Sequence, residues 1–128
     1  MKTPCELVVG KILPALRASV VRELSTKYHM KQSEIAKKLG ITQASVSQYL
    51  SSTRAGGTKM IDAFPKIRVY ADDIAKAIVS GKDRYEWLGV LCVACRDIRS
   101  DEEFCRMHRL ASNLPGCDIC QKGQALTR

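Results

Sequence analysis

Aromatic residues and long apolar runs are both scarce in this chain of 128 residues. Aromatic side chains make up 5% of the residues although 45% are hydrophobic, so the sequence predicts a largely aliphatic core. It holds no apolar run of the length, about 18 residues, that a membrane-spanning helix needs. The N-terminal apolar segment lacks a small-residue cleavage site and continues in helical rhythm, unlike a secretion signal. We therefore expect a cytoplasmic protein without a membrane partner.

Residue combinations typical of catalysis are missing as well. The sequence shows no nucleophile–base combination, no phosphate-binding glycine loop and no pair of catalytic carboxylates. The acids at Asp72, Asp73 and 101–103 fall where helix starts or solvent-facing positions are expected. The sequence does not predict an enzyme.

The most informative segment is 32–52, QSEIAKKLGITQASVSQYLSS, which predicts two short helices joined by a tight turn. An apolar stripe that ends at Leu39 marks the inner side of the first helix. Gly40 follows, and glycine readily adopts the left-handed conformation that ends a helix. The hydroxyl of Thr42 can then cap the second helix.

The second helix of this segment has two contrasting sides. Val46, Tyr49 and Leu50 recur at helical spacing and predict the inward side. The outward side carries no charge, although exposed helix positions usually hold Glu or Lys. Its amides and hydroxyls can bond base edges in a DNA major groove, and its alanine can contact a thymine methyl. These outward residues are Gln43, Ala44, Ser47, Gln48 and Ser51.

The segment resembles the helix-turn-helix of lambda-repressor/Cro-type regulators, with Ala36, Gly40, Ile41 and Val46 at that family's spacing. The resemblance implies an all-α regulator that binds double-stranded DNA, with Gln32 on the phosphate backbone. The residues that it places against backbone or base edges are Thr42, Gln43, Ala44, Ser47 and Gln48. The alternative is a helical hairpin that only packs against the rest of the protein.

Positive charge is concentrated in the same half of the chain. The net charge is +8, and residues 1–60 hold ten Lys and Arg against three acids, whereas residues 61–128 hold eleven against ten. Such an excess around a recognition helix is what phosphate neutralisation requires. We expect Arg54 and Lys59, which follow that helix, to contact the DNA backbone, with Ser51 and Ser52 as lesser contacts.

The N-terminal segment predicts a long helix. Residues 3–6, TPCE, are a typical helix start, with a Thr cap, Pro at the first position and Glu three residues after the cap. Pro14 lacks the amide hydrogen of an uninterrupted helix, so we expect a kink or break near Leu13. The helical pattern then continues to about Tyr28, and this helix is expected to pack behind the helix-turn-helix.

The next helices are apolar on more than one side. Pro65 divides the pattern that begins at Ile61 into a short helix and a longer one, and Gly81 is placed as its C-cap. A last helix is expected to open with a capping box at Ser100. Because regulators of the resembled type commonly bind paired half-sites as symmetric dimers, we expect a homodimer through the helix after Pro65 or the following one.

Three cysteine or histidine pairs with a two-residue gap lie near the C-terminus. The pairs are Cys92 and Cys95, Cys105 and His108, and Cys117 and Cys120. The two outer pairs can share a zinc ion, with Cys105 or His108 as substitute ligands. An iron–sulfur cluster on four of the thiolates and disulfides among them are the other two interpretations. His108 is expected to be a surface or salt-linked residue more than a ligand. Cys5, far from the pairs, is expected to be a buried, unreactive thiol.

The complete chain also resembles a group of small archaeal predicted transcriptional regulators. The shared features are the opening MKTPCELVV, the Leu13-Pro14 step and the recognition element ITQASVSQYL. The hypothesis is a helix-turn-helix DNA-binding domain in residues 1–58 followed by a helical dimerisation and cysteine-rich region in residues 59–128. It would act as a sequence-specific repressor on a pseudo-palindromic promoter site. The alternative is a thiol- or metal-based redox or electron-transfer protein with an incidental helical hairpin.

Overall fold

The computed structural model describes residues 3–54 and 59–117, with the side chains of residues 52–54 excepted. Within these ranges every regular element is helical and there is no β-strand, so the all-α prediction is confirmed. The α-helices are α1 Pro4–Leu7, α2 Leu13–Thr26, α3 Gln32–Leu39, α4 Gln43–Arg54, α5 Lys59–Ala63, α6 Lys66–Val79, α7 Arg84–Arg99 and α8 Glu102–Ser112. No helix in the described ranges combines the length and the apolar character that crossing a membrane requires.

The N-terminal cap forms as the sequence predicts. The backbone N–H of Glu6 donates to Thr3 Oγ1 at 3.3 Å, and the backbone N–H of Thr3 donates to Glu6 Oε2 at 2.8 Å. Pro4 occupies the first turn, where its missing N–H removes no intrahelical bond. This reciprocal pair fixes the start of α1.

The interruption expected near Leu13 is a π-helical turn, not a break. Residues Val8–Ile12 are π-helical, and the N–H of Leu13 donates to the carbonyl of Val8, five residues earlier. Pro14 is the second residue of α2. A proline ring crowds the carbonyl four residues before it and cannot donate. A wider turn directly before the ring relieves that crowding, so the chain stays helical throughout.

The core is aliphatic and forms around α2. Leu16, Val21 and Leu24 of α2 are fully buried, and α2 packs against both α4 and α6. The prediction that the long helix packs behind the hairpin is therefore confirmed. The buried cluster is continuous from Leu7 to Phe104, so side chains from both predicted regions share one core. The stabilisation comes from this shared burial of apolar surface.

The C-terminal helices are held in place by specific contacts. The hydroxyl of Tyr70 on α6 donates to Asp97 Oδ2 on α7 at 2.5 Å, and Lys66 Nζ lies 3.2 Å from Asp97 Oδ1. The rings of Phe64, which lies between α5 and α6, and Phe104 of α8 have centroids 6.4 Å apart. These contacts hold α7 against α6 and α8 against the connection between α5 and α6.

The start of α8 differs from the prediction. The cap is Asp101, whose carboxylate accepts the N–H of Glu103 at 3.2 Å, and not Ser100. Ser100 ends α7 instead, because its hydroxyl donates to the carbonyl of Arg96 at 2.9 Å. With Ser100 engaged by the preceding helix, the next polar residue caps α8. The C-cap of α6 is Ser80, one residue before the predicted Gly81, which follows it with a positive φ of 86°.

Candidate nucleic-acid interface

The turn between α3 and α4 depends on Gly40. Its φ of 70° lies in the left-handed region that ends α3, and the N–H of Ile41 donates to the carbonyl of Ala36 at 3.0 Å. A Cβ atom at Gly40 would also lie 3.0 Å from Nη2 of Arg84. Both the backbone conformation and the neighbouring guanidinium therefore favour glycine at this position.

The start of α4 is capped by Thr42, as predicted. Thr42 Oγ1 accepts the backbone N–H of Ser45 at 3.1 Å, and the two side-chain hydroxyl oxygens lie 2.9 Å apart. This cap satisfies one of the unpaired amides of the first turn. Thr42 is nonetheless exposed, so its hydroxyl can still contact a backbone phosphate. Only the hydrogen-bonding capacity that the cap leaves is available for that contact.

The rotation of α4 about its axis is fixed by its inner side. Val46 is fully buried, and Tyr49 and Leu50 are half-buried against the core cluster. On the facing helix, Ile35 and Ala36 are buried as well. Burial of these side chains determines which side of α4 faces solvent.

The outward side of α4 carries the five residues that the sequence assigns to it. Each of them is exposed, and none carries a charge. Their positions repeat at one, four and five residues, which places them on a single side of a helix. This side consists of Gln43, Ala44, Ser47, Gln48 and Ser51. Gln32, the first residue of α3, is partly exposed.

Of the two cations expected to contact the DNA backbone, the structure describes the side chain of Lys59 and not that of Arg54. Lys59 is exposed at the first residue of α5. Arg54 is the last residue of α4, and its side chain, like that of Ser52, lies outside the described part of the structure. Lys27, by contrast, is held 2.9 Å from Asp72 on α6, and this contact lowers the pKa of Asp72. Not every cation of the N-terminal half is therefore available to a partner.

Arg84 makes a contact that the sequence did not predict. Its Nη2 lies 3.4 Å from the carbonyl of Lys37 in the last turn of α3, and its guanidinium covers Gly40. A cation at the C-terminal end of a helix is favoured by the helix dipole. Arg84 begins α7, so it joins α7 to the turn of the hairpin. Nothing in the local sequence signals a contact between residues 47 positions apart.

The cysteines of the C-terminal region do not converge within the described residues. Cys92 is exposed and Cys95 half-buried on α7, Cys105 is buried on α8, and Cys117 is half-buried after α8. None of these four is in a disulfide, and no group of three or more candidate metal ligands comes together in the described ranges. Cys120 lies outside those ranges, so the predicted ligand set stays a prediction. His108 is 3% exposed, so the surface position, one of the two alternatives expected for it, is wrong.

The expectation of a buried Cys5 is also wrong. Cys5 is exposed, and Arg99 Nη1 donates to its Sγ at 3.5 Å. The π-helical segment after α1 contacts α7, which brings Cys5 near thiols that are distant in sequence. Burial raises the pKa of Cys95, and the nearby Cys92 and Cys5 add to that shift while Arg99 opposes it.

No protein-family model, no curated protein and no solved structure matches this chain. What the chain does is therefore inferred from its own residues and their arrangement.

Proposed function

We propose that the chain is a sequence-specific DNA-binding transcription regulator that presents the outward side of α4 to a major groove. One observation carries the proposal. The inner side of α4 is anchored by the fully buried Val46, while Gln43 and Gln48 are exposed on an uncharged outer side. A helix that only needed to be soluble would carry charged side chains there.

The side chains of this outer surface match the chemistry of base edges. A glutamine amide can bond N7 and N6 of adenine together, which makes Gln43 and Gln48 the candidates for direct base readout. The hydroxyl of Ser47 can bond several bases, and the methyl group of Ala44 can contact a thymine methyl. These contacts would determine sequence preference.

Contacts with phosphates would determine register and affinity. Gln32 lies at the N-terminus of α3, where backbone amides and the helix dipole favour an anion. Other polar groups lie on the outer side of α4 or next to it in the chain. They are the hydroxyls of Thr42 and Ser51 and the cations of Arg54 and Lys59. Contacts of this kind carry little sequence information and make binding dependent on salt.

We further propose that the chain binds as a homodimer on a pseudo-palindromic promoter site and represses by blocking the promoter. One recognition helix covers only a few base pairs, and paired half-sites extend the sequence that is read. The exposed apolar residues Tyr85 and Val93 on α7 and Val69 on α6 favour these two helices for the dimer contact. The cysteine-rich region would stabilise this part of the fold.

The proposal is tested by selecting bound sequences from a pool of random double-stranded DNA. The selected sequence is then titrated with protein by fluorescence anisotropy at several salt concentrations. We expect a pseudo-palindromic sequence to be enriched, and the logarithm of the binding constant to fall linearly with the logarithm of the salt concentration. Absence of enrichment together with binding that does not respond to salt would overturn the proposal.

A second function, thiol-based redox chemistry, is favoured by the thiols near Arg99. Cys5 contacts this arginine directly, and Cys92 and Cys95 lie on the same helix as the arginine. A redox protein of this kind would show a redox-active centre and negligible DNA binding that does not depend on salt. The same titration therefore separates the two functions.

A further inference from the structure

A cleft of about 320 Å³ lies behind the hairpin, where α2, α3, α4, α6 and α7 meet. Most of its lining is aliphatic or aromatic. The lining includes Ile41 and Tyr49 of the hairpin, Trp87, Leu88 and Leu91 of α7, and Arg17 of α2. The cleft is partly open to solvent. Its volume falls at the lower end of the roughly 300–1,000 Å³ of small-molecule sites.

The one charged side chain in the described lining of the cleft indicates the charge of a matching ligand. Arg17 is the one charged residue in its described lining, and no carboxylate faces it there. Arg17 is exposed, and within the described ranges it forms no ion pair. A guanidinium binds a carboxylate through two parallel hydrogen bonds. An apolar chamber with one free guanidinium matches a molecule that has an apolar body and one carboxylate.

We propose that this cleft binds a small apolar monocarboxylate, with its carboxylate on Arg17 and its body against Trp87, Leu88 and Leu91. The proposal has a regulatory part that rests on the proposed function. Ile41 lies in the turn of the hairpin and Tyr49 on the inner side of α4, so an occupant contacts the back of the helix whose outer side would meet DNA. Occupancy changes DNA affinity if the ligand prefers one of two hairpin arrangements.

The chain offers a direct readout because Trp87 is its single tryptophan. The full-length protein is titrated with octanoate, octanol and octylammonium while the emission of Trp87 is recorded. These probes share an apolar chain and differ in the charge of the head group. We expect a saturable response to octanoate at a concentration at least tenfold lower than for the other two. Arg17→Gln should bring octanoate to the level of octanol and leave octanol unchanged.

The matched control is Arg96→Gln, which removes the same charge from an exposed position on α7 outside the lining of the cleft. It should keep the preference for octanoate. Equal responses to the three head groups, or no saturable response, would overturn the proposal. A third outcome is that the emission of Trp87 changes when the protein is diluted without ligand and does not respond to octanoate. That result would show that a second copy of the chain fills the cleft, and it would also overturn the proposal.

The regulatory part is tested separately. Binding of octanoate is measured in the absence of DNA, so its outcome does not depend on whether the protein is a regulator. The anisotropy titration with selected DNA is then repeated at saturating octanoate. A change in DNA affinity that Arg17→Gln removes supports the regulatory part. An unchanged affinity overturns that part and leaves the cleft as a ligand site.

Discussion

The guanidinium of Arg84 covers Gly40, so the first residue of α7 packs on the residue that ends α3. This contact predicts the outcome of Gly40→Ala. A φ of 70° is strained for any residue with a Cβ atom, at a cost of about 1–2 kcal/mol. The clash with Arg84 should add little, because the end of a flexible side chain can move. We expect urea unfolding to show that Gly40→Ala lowers the free energy of unfolding by an amount within that range.

Gly81 provides the matched control for this substitution. Its φ is 86° and a Cβ atom there would meet nothing within 4 Å, so Gly81→Ala reports backbone strain alone. Similar losses at both positions would confirm that strain dominates at Gly40. A much larger loss at Gly40, relieved in the Arg84→Ala background, would instead show that the guanidinium is held rigidly.

The contact between Tyr70 and Asp97 predicts a loss of stability at high pH. The carboxylate of Asp97 accepts the hydroxyl hydrogen and raises the pKa of Tyr70 to about 12. Since the folded state holds this proton more tightly than the unfolded state, the contribution is present below a pH of about 10 and is lost as the pH rises towards 12. Unfolding free energies measured across that range should fall in the parent and fall less in Tyr70→Phe.

At neutral pH, Tyr70→Phe should lower the free energy of unfolding by at most about 1.5–3 kcal/mol, because a hydrogen bond to a partly exposed carboxylate is lost. The pKa of Asp97, which the hydroxyl lowers, should move back towards its ordinary value in the variant. Identical pH profiles for the two proteins would contradict a structural role for this hydrogen bond.

The helices could be predicted from the sequence because their signals are local. The capping box at Thr3, the left-handed Gly40 and the cap at Thr42 each depend on residues within a few positions of one another. The buried side of α4 follows from the helical spacing that includes Val46. These features orient the outward side of α4, so the candidate interface is defined by local chemistry.

The missed features depend on contacts between distant parts of the chain. Cys5 was expected to be buried because it lies far from the other cysteines in the sequence, but the side of α1 that packs inward carries Leu7. Arg84 contacts Lys37, and no periodicity signals that pairing. The cap of α8 was misplaced by one residue because Ser100 bonds backwards to α7. Tertiary packing decides each of these cases.

The C-terminal cysteines predict a bound metal ion. Of the three interpretations, structural zinc needs the fewest assumptions, since the two outer C-x-x-C pairs supply four thiolates. Protein purified without oxygen should contain about one zinc per chain and show no visible absorption. Removal of the metal with a chelator should lower the melting temperature. Cys117→Ser should lose the metal, and Cys5→Ser should keep it. Visible absorption would indicate an iron–sulfur cluster instead.

The two outward glutamines predict a loss of base discrimination. Gln43→Ala or Gln48→Ala should weaken binding to the selected DNA by about 1–3 kcal/mol and relax the preference at one base pair. Neither side chain is buried, so the unfolding temperature should not change. Anisotropy titrations with selected and random DNA provide the measurement. Equal losses on the two kinds of DNA would argue against base readout.

Lys59 predicts a different pattern, because a phosphate contact does not depend on sequence. Lys59→Ala should weaken binding to selected and random DNA alike, and it should lower the salt slope by about one unit, since about 0.9 counterions are released per neutralised phosphate. Arg54→Ala should behave in the same way. Arg96→Ala removes the same charge from the exposed side of α7, far along the chain from the hairpin, and is the control. If Arg96→Ala lowers the slope as much as Lys59→Ala does, the effect comes from net charge, and the contact assigned to Lys59 is wrong.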